Sequence, residues 1–147
     1  MRNAKVLLAA FLLVSCAAAV AVPLPPSVHI VPPDATVPKD LAAFSGKWVG
    51  SVIGPPRRRD HVLVVEEIIG TSAAVVYALG SGQGIEGTLD PRPFWIRLKG
   101  RFEDGALKLF FPSGVTVTYR MLPNGTLDGN QEYKGAVFHA QLSRAKE

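Results

Sequence analysis

The chain has 147 residues, enough for one domain with a substantial apolar core, and it carries 16 basic against 12 acidic side chains. The formal net charge of +4 is too small an excess to predict a nucleic-acid-binding surface. Because only one cysteine is present, an intramolecular disulfide is excluded and the fold must be held together by packing.

The first fifteen residues have the layout of a secretory signal peptide. Arg2 and Lys5 form a basic start, and residues 6–14 form an apolar run that is too short to span a membrane. Small residues follow, around Cys16. Removal of residues 1–15 would take both basic residues with it and leave 14 basic and 12 acidic side chains, a net charge of about +2.

The tetrapeptide LVSC at residues 13–16 resembles the lipobox of bacterial lipoproteins. The resemblance implies that the Cys16 thiol receives a diacylglycerol, that residues 1–15 are removed and that the new amino terminus is acylated. Ala17 follows Cys16. An aspartate at this position in enteric lipoproteins would favour retention in the inner membrane, so the periplasmic face of the outer membrane is expected. The membrane is therefore an expected partner. The alternative is cleavage at the A-x-A site of residues 19–21, which would give an unlipidated periplasmic or secreted protein.

Residues 16–40 are predicted to be a tether between the lipid and the folded body. Residues 22–40 hold six of the twelve prolines, and proline fixes φ and lacks an N–H donor, so an extended polyproline-like conformation is expected. As a free spacer, residues 17–40 would reach roughly 70 Å at about 3.1 Å per residue. One helical turn is predicted at residues 39–44, with Asp40 near its amino-terminal cap.

The body, residues 41–147, is predicted to be all-β. Apolar and polar residues alternate with period two, and turn signals recur about every eight to twelve residues. Glycine-containing connections such as residues 123–125 and 134–135 are typical of hairpins. The predicted strands are residues 46–53, 61–69, 73–79, 94–103, 106–111, 115–122, 126–133 and 136–144.

The later strands each have one apolar and one polar face. Leu107 and Leu109 flank Lys108, and Ala140 and Leu142 flank Gln141, as in an antiparallel sheet that is solvated on one side. Eight consecutive strands would leave two exposed edges unless the sheet closes. An antiparallel up-and-down barrel of about eight strands is therefore predicted, either filled by side chains or holding one small ligand.

Residues 41–50 resemble the start of a calycin barrel, the group that includes lipocalins, fatty-acid-binding proteins and avidins. A short helical turn precedes a Gly-x-Trp strand, here Gly46-Lys47-Trp48. In a lipocalin-like barrel the resemblance implies that Trp48 plugs the closed end and that Arg144, late in the last strand, packs over it in a cation–π contact. The alternative is that Trp48 is an ordinary core aromatic residue.

Two groups of residues are candidates for binding. Tyr119, Gln131 and Tyr133 are the polar side chains expected inside the barrel, where they either orient a ligand among apolar walls or hydrogen-bond to each other in a filled core. The triplet Arg57, Arg58 and Arg59 follows two prolines and is predicted to form a loop at one mouth of the barrel. That loop would meet an anionic partner such as lipid headgroups, or would simply be solvated.

Catalytic and metal sites are not predicted. Asp60-His61 with Glu66-Glu67 is the nearest approach to an acid–base cluster. Since successive strand residues point to opposite faces, one of these glutamates is expected inside the barrel, where desolvation would raise its pKa, or near solvent at a strand end. The sequence has no G-x-S-x-G motif, no H-x-x-x-H or C-x-x-C spacing, and no feature that points to a cofactor.

Three functional hypotheses remain. The leading one is an exported, membrane-anchored, non-enzymatic protein that holds a small apolar or amphipathic ligand in its barrel. The alternative is a structural or inhibitory envelope protein with a filled barrel whose loops bind a protein partner. The third is an enzyme with Glu66 or Glu67 as the acid–base residue. Interior volume separates the first two hypotheses.

Overall fold

A computed structural model describes residues 22–54, 57–82 and 92–146, except for the side chain of Arg57. The predicted all-β fold and closed eight-stranded antiparallel barrel are confirmed, with the strands paired in chain order and the last strand paired with the first. The elements are α1 (Lys39–Ala42), β1 (Gly46–Gly54), β2 (Arg57–Ile69), β3 (Ser72–Leu79), β4 (Phe94–Glu103), β5 (Ala106–Phe110), β6 (Thr116–Met121), β7 (Leu127–Tyr133) and β8 (Ala136–Arg144).

The up-and-down order gives the barrel two distinct ends. The connections β1–β2, β3–β4, β5–β6 and β7–β8 lie at one end, which we call the open end. The other three connections lie with α1 at the opposite, closed end. Helix α1 has four residues, and within the described ranges no helix is both long and apolar enough to cross a membrane. The predicted signal peptide and Cys16 lie outside the described residues.

The boundaries of seven strands match the predictions to within one residue, but β2 starts four residues early, at Arg57. Arg57–Asp60 pair with Ser51–Gly54 of β1, so only residues 55 and 56 connect the two strands. The arginine triplet therefore belongs to a strand, and its prediction as a loop is wrong. Successive side chains of a strand point to opposite faces, so Arg58 and Arg59 do not lie in one patch.

The apolar faces predicted from alternation fill the barrel. Leu107, Leu109 and Leu142 are among the side chains with almost no exposed surface. The packing is close enough that Gly129 is required: a Cβ there would lie 2.8 Å from the Tyr119 ring and 2.9 Å from the Cβ of Ala140. Glycine at this position allows the tyrosine ring to lie against the wall.

The closed end is sealed by Trp48, which is fully buried. The guanidinium carbon of Arg144 lies 4.3 Å from the Trp48 ring centroid, the cation–π contact that the resemblance implied. The indole N–H donates to the carbonyl of Phe44 (2.8 Å), and Arg144 donates to the carbonyls of Ala43 and Ser45 at 2.7 and 2.8 Å. These bonds satisfy the backbone groups that end the α1 turn, so they fix the base of the barrel.

The proline-rich segment is extended, as expected, but it does not reach freely away from the barrel. Residues 22–31, which we call the N-terminal strap, lie along the outer wall of β2, β3 and β4. Val22, Leu24 and Val28 pack there against a second apolar cluster of Val62, Val64, Val76 and Ala78. The predicted free spacer is therefore wrong for residues 22–31, which contact the barrel, and residues 17–21 lie outside the described residues.

A β-bulge in β2 changes the direction in which the side chains of Glu66 and Glu67 point. The β2–β3 register shifts between Val65 and Glu67, while Val65 and Ile68 both belong to the interior core. Glu66 and Glu67 therefore both point outwards, against the expectation that they would lie on opposite faces. Glu66 forms an ion pair with Arg97 at 2.9 Å, and the hydrogen bond from Arg97 lowers the pKa of the Glu66 carboxyl rather than raising it.

Candidate ligand site at the open end of the barrel

His61 is buried inside the barrel and is hydrogen-bonded through both of its ring nitrogens. The Nδ1 atom of His61 lies 2.8 Å from the carbonyl oxygen of Ala78, and its Nε2 atom lies 2.7 Å from the Tyr119 hydroxyl. A carbonyl only accepts, so we assign the proton to Nδ1, and Nε2 then accepts from Tyr119. Complete burial lowers the pKa of His61 to about 4, although the bond to Ala78 acts in the opposite direction. The imidazole is therefore neutral at neutral pH.

A second buried pair lies beside the first. The Tyr77 hydroxyl donates to Oε1 of Gln131 at 3.0 Å, and the Tyr77 ring centroid is 4.5 Å from that of His61. Desolvation raises the pKa values of Tyr77 and Tyr119, so both hydroxyls stay protonated. Within the described ranges every buried side-chain nitrogen or oxygen has a hydrogen-bond partner. The two pairs form a polar layer that is complete without a ligand.

The predicted ligand trio is thus only partly brought together. Tyr119 and Gln131 are interior as predicted, but each bonds to a residue that the interior prediction omitted. Tyr133 lies half-buried near the open end, with the Lys134 ammonium 5.1 Å from its ring centroid, and has no part in the polar layer. Continuing the alternation of β2 backwards from Leu63 would have predicted His61 on the inner face.

A group of apolar side chains packs against the interior core beside this layer. Phe94 lies at the open end of β4, whereas Ile96 pairs with Tyr77 and Leu98 with Val75 of β3. All members of the group pack against the interior core and yet remain partly exposed, as do Ala42 and Met121 at the closed end. Two of their rings contact Tyr77: Phe111 at 4.9 Å between centroids and Phe94 at 6.2 Å. We call this group the open-end cluster; it comprises Phe94, Ile96, Leu98, Phe111, Tyr133 and Ala136.

The exposure of the open-end cluster follows from unequal strand lengths. Strand β4 has ten residues, but only Gly100–Glu103 pair with β5, which has five. Within the described ranges, residues 94–99 have a strand neighbour only on β3. The inner side chains of this half of β4 therefore lack a paired β5 strand beside them, which leaves them partly exposed.

Arg59 hydrogen-bonds to both described ends of the β3–β4 connection. Its side chain is 4% exposed, and its Nε and Nη2 atoms donate to the carbonyl of Gly80 at 3.0 and 2.8 Å. Nη2 also donates to the carbonyl of Arg92 (2.9 Å), and the guanidinium carbon lies 6.0 Å from the Phe94 ring centroid. Arg58 points the other way and donates to the Ser51 hydroxyl at 2.7 Å. Arg58 and Arg59, two of the three arginines predicted to bind an anion, therefore face opposite sides of the wall.

Comparisons with protein-family models, with curated proteins and with solved structures each gave no match. In the part of the chain that the structure describes, no group of three or more His, Cys, Asp or Glu side chains is placed to hold a metal ion. The site is therefore interpreted from its geometry.

We expect Tyr119→Phe to lower the free energy of unfolding by about 1–3 kcal/mol, because the buried Nε2 of His61 would lose the hydroxyl that donates to it. Urea unfolding at pH 7 followed by circular dichroism measures the change. Tyr133→Phe is the matched control, and we expect it to stay within about 0.5 kcal/mol because its side chain is half-buried. Equal losses in the two variants would contradict the assigned hydrogen bond.

Proposed function

We propose that this protein is an exported, membrane-anchored, non-enzymatic binding protein that takes the apolar part of a small apolar or amphipathic molecule at the open end of its barrel. The observation that carries the proposal is the open-end cluster: apolar side chains directed towards the barrel axis that remain partly exposed. Concave, mostly apolar sites with a few polar groups are the usual form of small-molecule sites.

The filled interior limits the depth of the proposed site. The Tyr77 ring forms its floor, and the hydrogen-bonded pairs of the polar layer lie below. Entry deeper into the barrel would break bonds between buried groups, each costing about 1–3 kcal/mol. The ligand is therefore proposed to insert only a short chain or ring, between Phe94 and Phe111, and to keep its polar part at the rim.

A non-enzymatic role is supported by the chemistry of the titratable groups. His61 is the interior group with acid–base character, and it is fully buried, with both ring nitrogens hydrogen-bonded. Glu66 and Glu67, the other candidates, lie on the outer wall, and Glu66 is paired with Arg97. None of these side chains reaches the open-end cluster as a free acid or base.

The anchoring part of the proposal is supported by the signal-peptide layout and by the LVSC tetrapeptide at residues 13–16. The mature chain would begin at an acylated Cys16 and face the periplasm. Mass spectrometry of the mature amino terminus tests this. A free terminus at Val22 without lipid would contradict it and leave a secreted or periplasmic protein.

Native mass spectrometry of the purified protein, together with titration by the apolar fluorophore N-phenyl-1-naphthylamine, tests ligand binding. We expect a copurified mass or probe binding that Ile96→Asn weakens about tenfold or more, since a buried polar group that is left unpaired costs about 1–3 kcal/mol. Phe111→Ala provides a second variant, and both are checked by circular dichroism. Val137→Asn, on the outer face of β8 and 51% exposed, is the matched control.

The alternative function, an envelope protein with a filled barrel that binds a protein partner through its loops, is favoured by one specific observation. The polar layer satisfies all of its own hydrogen bonds, as a purely structural core does. No copurified mass, together with probe binding that is the same in the Ile96→Asn and Val137→Asn variants, would overturn the ligand proposal in favour of this alternative.

A further inference from the structure

The N-terminal strap is fixed to the barrel by polar bonds as well as by apolar packing. Arg97 donates to the carbonyl of Ser27 at 2.5 Å while its ion pair with Glu66 holds it in place. The backbone N–H of His29 donates to the Glu66 carboxylate (3.3 Å), and that of Val31 donates to the Glu66 carbonyl at 2.7 Å. These bonds attach the strap to β2 and β4 near the bulge.

The direction of the strap is set by the residues at its two ends. Val22 lies at the open end, because a Cβ on Gly80 would be 3.5 Å from both the Val22 side chain and Asp60. Further along, Val37 and Leu41 pack into the interior core with Phe44 at the closed end. The chain thus enters the strap at the open end and runs down the outer wall to the base.

We propose that the strap turns the open end of the barrel towards an anionic membrane surface. This inference rests on the proposed anchoring at Cys16. Six residues from Cys16 to Val22 span at most about 20 Å. Nine-residue β1 alone is roughly 30 Å long at about 3.3 Å per residue, and α1 lies beyond it. Because strands in a closed barrel tilt by about 35–45° to its axis, this strand length corresponds to about 23 Å of wall height, which is still more than the tether spans. The short tether therefore favours contact of the open end, rather than the closed end, with the bilayer.

The side chains of the open end fit a membrane surface. Arg58, Arg92 and Lys134 are exposed there, against the exposed acidic residues Asp60 and Glu132. Three basic against two acidic side chains leave an excess of one positive charge, which contributes about 1 kcal/mol near an anionic leaflet. Trp95, 40% exposed on the outer face of β4, and Ile53, also 40% exposed, supply the apolar and aromatic groups that are found at membrane interfaces.

In this orientation, the membrane would be the source of the ligand for the proposed site. The open-end cluster would face the bilayer across a gap no longer than the tether. An amphipathic molecule in the outer layer of headgroups would then pass its apolar part to Phe94 and Phe111 over a short distance through water. The ligand class that fits is a membrane-derived amphiphile with an apolar chain and a polar head.

The two tryptophans of the chain allow a direct test, because Trp95 is near the open end and buried Trp48 is at the closed end. The protein, purified from membranes in detergent, is reconstituted into phosphatidylglycerol-containing vesicles that carry a nitroxide on the lipid headgroup. We expect the emission of Trp95 to be largely lost, and the remaining emission of the Trp95→Phe variant to be the same with and without nitroxide. Unquenched Trp95, or equal quenching of both tryptophans, would overturn the orientation.

A variant that loosens the N-terminal strap provides a second test of the orientation. Leu24→Asp with Val28→Asp removes the apolar packing and leaves the bonds at Ser27, His29 and Val31, so the free tether becomes the eleven residues from Cys16 to Ser27, at most about 36 Å. Trp95 quenching is then expected to fall while the protein stays anchored. Ile30→Asp, 46% exposed on the same strap, is the matched control that keeps the quenching. Quenching that persists after release of the strap would contradict its role in orientation.

The failure of this inference can be told apart from the failure of the proposed function. Probe binding in detergent solution reports on the ligand site, and the mass of the amino terminus reports on the lipid. If Cys16 proves unlipidated, the same quenching is measured with a hexahistidine sequence replacing residues 11–16 and with nickel-chelating lipid in the vesicles. The histidine sequence adds up to about 20 Å to the tether, so Trp95 quenching then reports whether the open end itself contacts the bilayer.

Discussion

Replacing Trp48 with alanine is expected to lower the free energy of unfolding by about 4 kcal/mol, in the range of about 3–5 kcal/mol measured when a buried tryptophan is truncated. The side chain is fully buried, seals the closed end and donates a hydrogen bond to the carbonyl of Phe44. Arg144 would also lose the ring that it covers. Urea unfolding followed by circular dichroism measures the loss, which corresponds to a fall in Tm of about 15 °C for a domain of this size.

Trp95→Ala is the matched control, since it removes the same side chain from the outer face, where 40% of its surface is exposed. We expect a loss of about 1 kcal/mol or less. A double-mutant cycle with Trp48→Ala and Arg144→Ala should give a coupling energy of about 0.5–2 kcal/mol, because the two side chains are in direct contact. Equal destabilisation by the two tryptophan variants would show that the closed end is not the main point of closure.

The barrel could be predicted from the sequence because its signal is local. In β5 to β8 one face is solvated, so apolar and polar residues alternate and glycine marks each turn. Closure then followed from the cost of leaving two strand edges unpaired. Period two also assigned the interior face correctly, which is why Tyr119 and Gln131 were predicted inside the barrel.

The N-terminal strap could not be predicted from proline content, which indicates an extended chain but not the surface that it covers. A signal was present elsewhere: residues 62–65 and 73–79 are continuous apolar runs, which are typical of strands buried on both faces. The outer side chains of those runs, Val62, Val64, Val76 and Ala78, are the ones that the strap covers. Continuous rather than alternating hydrophobicity is therefore the signal that could have indicated a cover over this wall.

Two other differences between the predicted and the observed structure arise from pairing between residues that are distant in the sequence. A bulge adds one residue to a strand, so the inward and outward alternation of side chains is reversed beyond the bulge. The sequence around Glu66 carries no local sign that a bulge occurs there. The arginine triplet looks like a solvated loop, yet pairing with β1 makes it a strand and turns Arg59 inwards. There the guanidinium is stabilised by the carbonyls of Gly80 and Arg92, which are 21 and 33 residues away along the chain.

Acidification from pH 7 to pH 5 is expected to destabilise the protein by about 2 kcal/mol through His61 alone. The pKa of His61 is about 4 in the folded protein, against the ordinary histidine value of 6.5 that applies to the unfolded chain. Between these values the unfolded chain binds more protons, so stability falls as the pH falls. The contribution is fully present above pH 6.5, and about 3 kcal/mol is lost once the pH is below 4.

The acid sensitivity of His61 can be separated from that of the carboxylates. The pKa values of Glu66 and Glu103 are lowered by their hydrogen bonds to Arg97 and Lys108, so they add to the loss mainly below their ordinary pKa of 4.5. His61→Asn places an amide near the Ala78 carbonyl and removes the titration. Urea unfolding at pH 7, 6 and 5 should then give a falling stability for the natural protein and a nearly constant one for the variant. A parallel fall in both would show that His61 is not the group that responds, and that the buried imidazole accepts a proton without disturbing the polar layer.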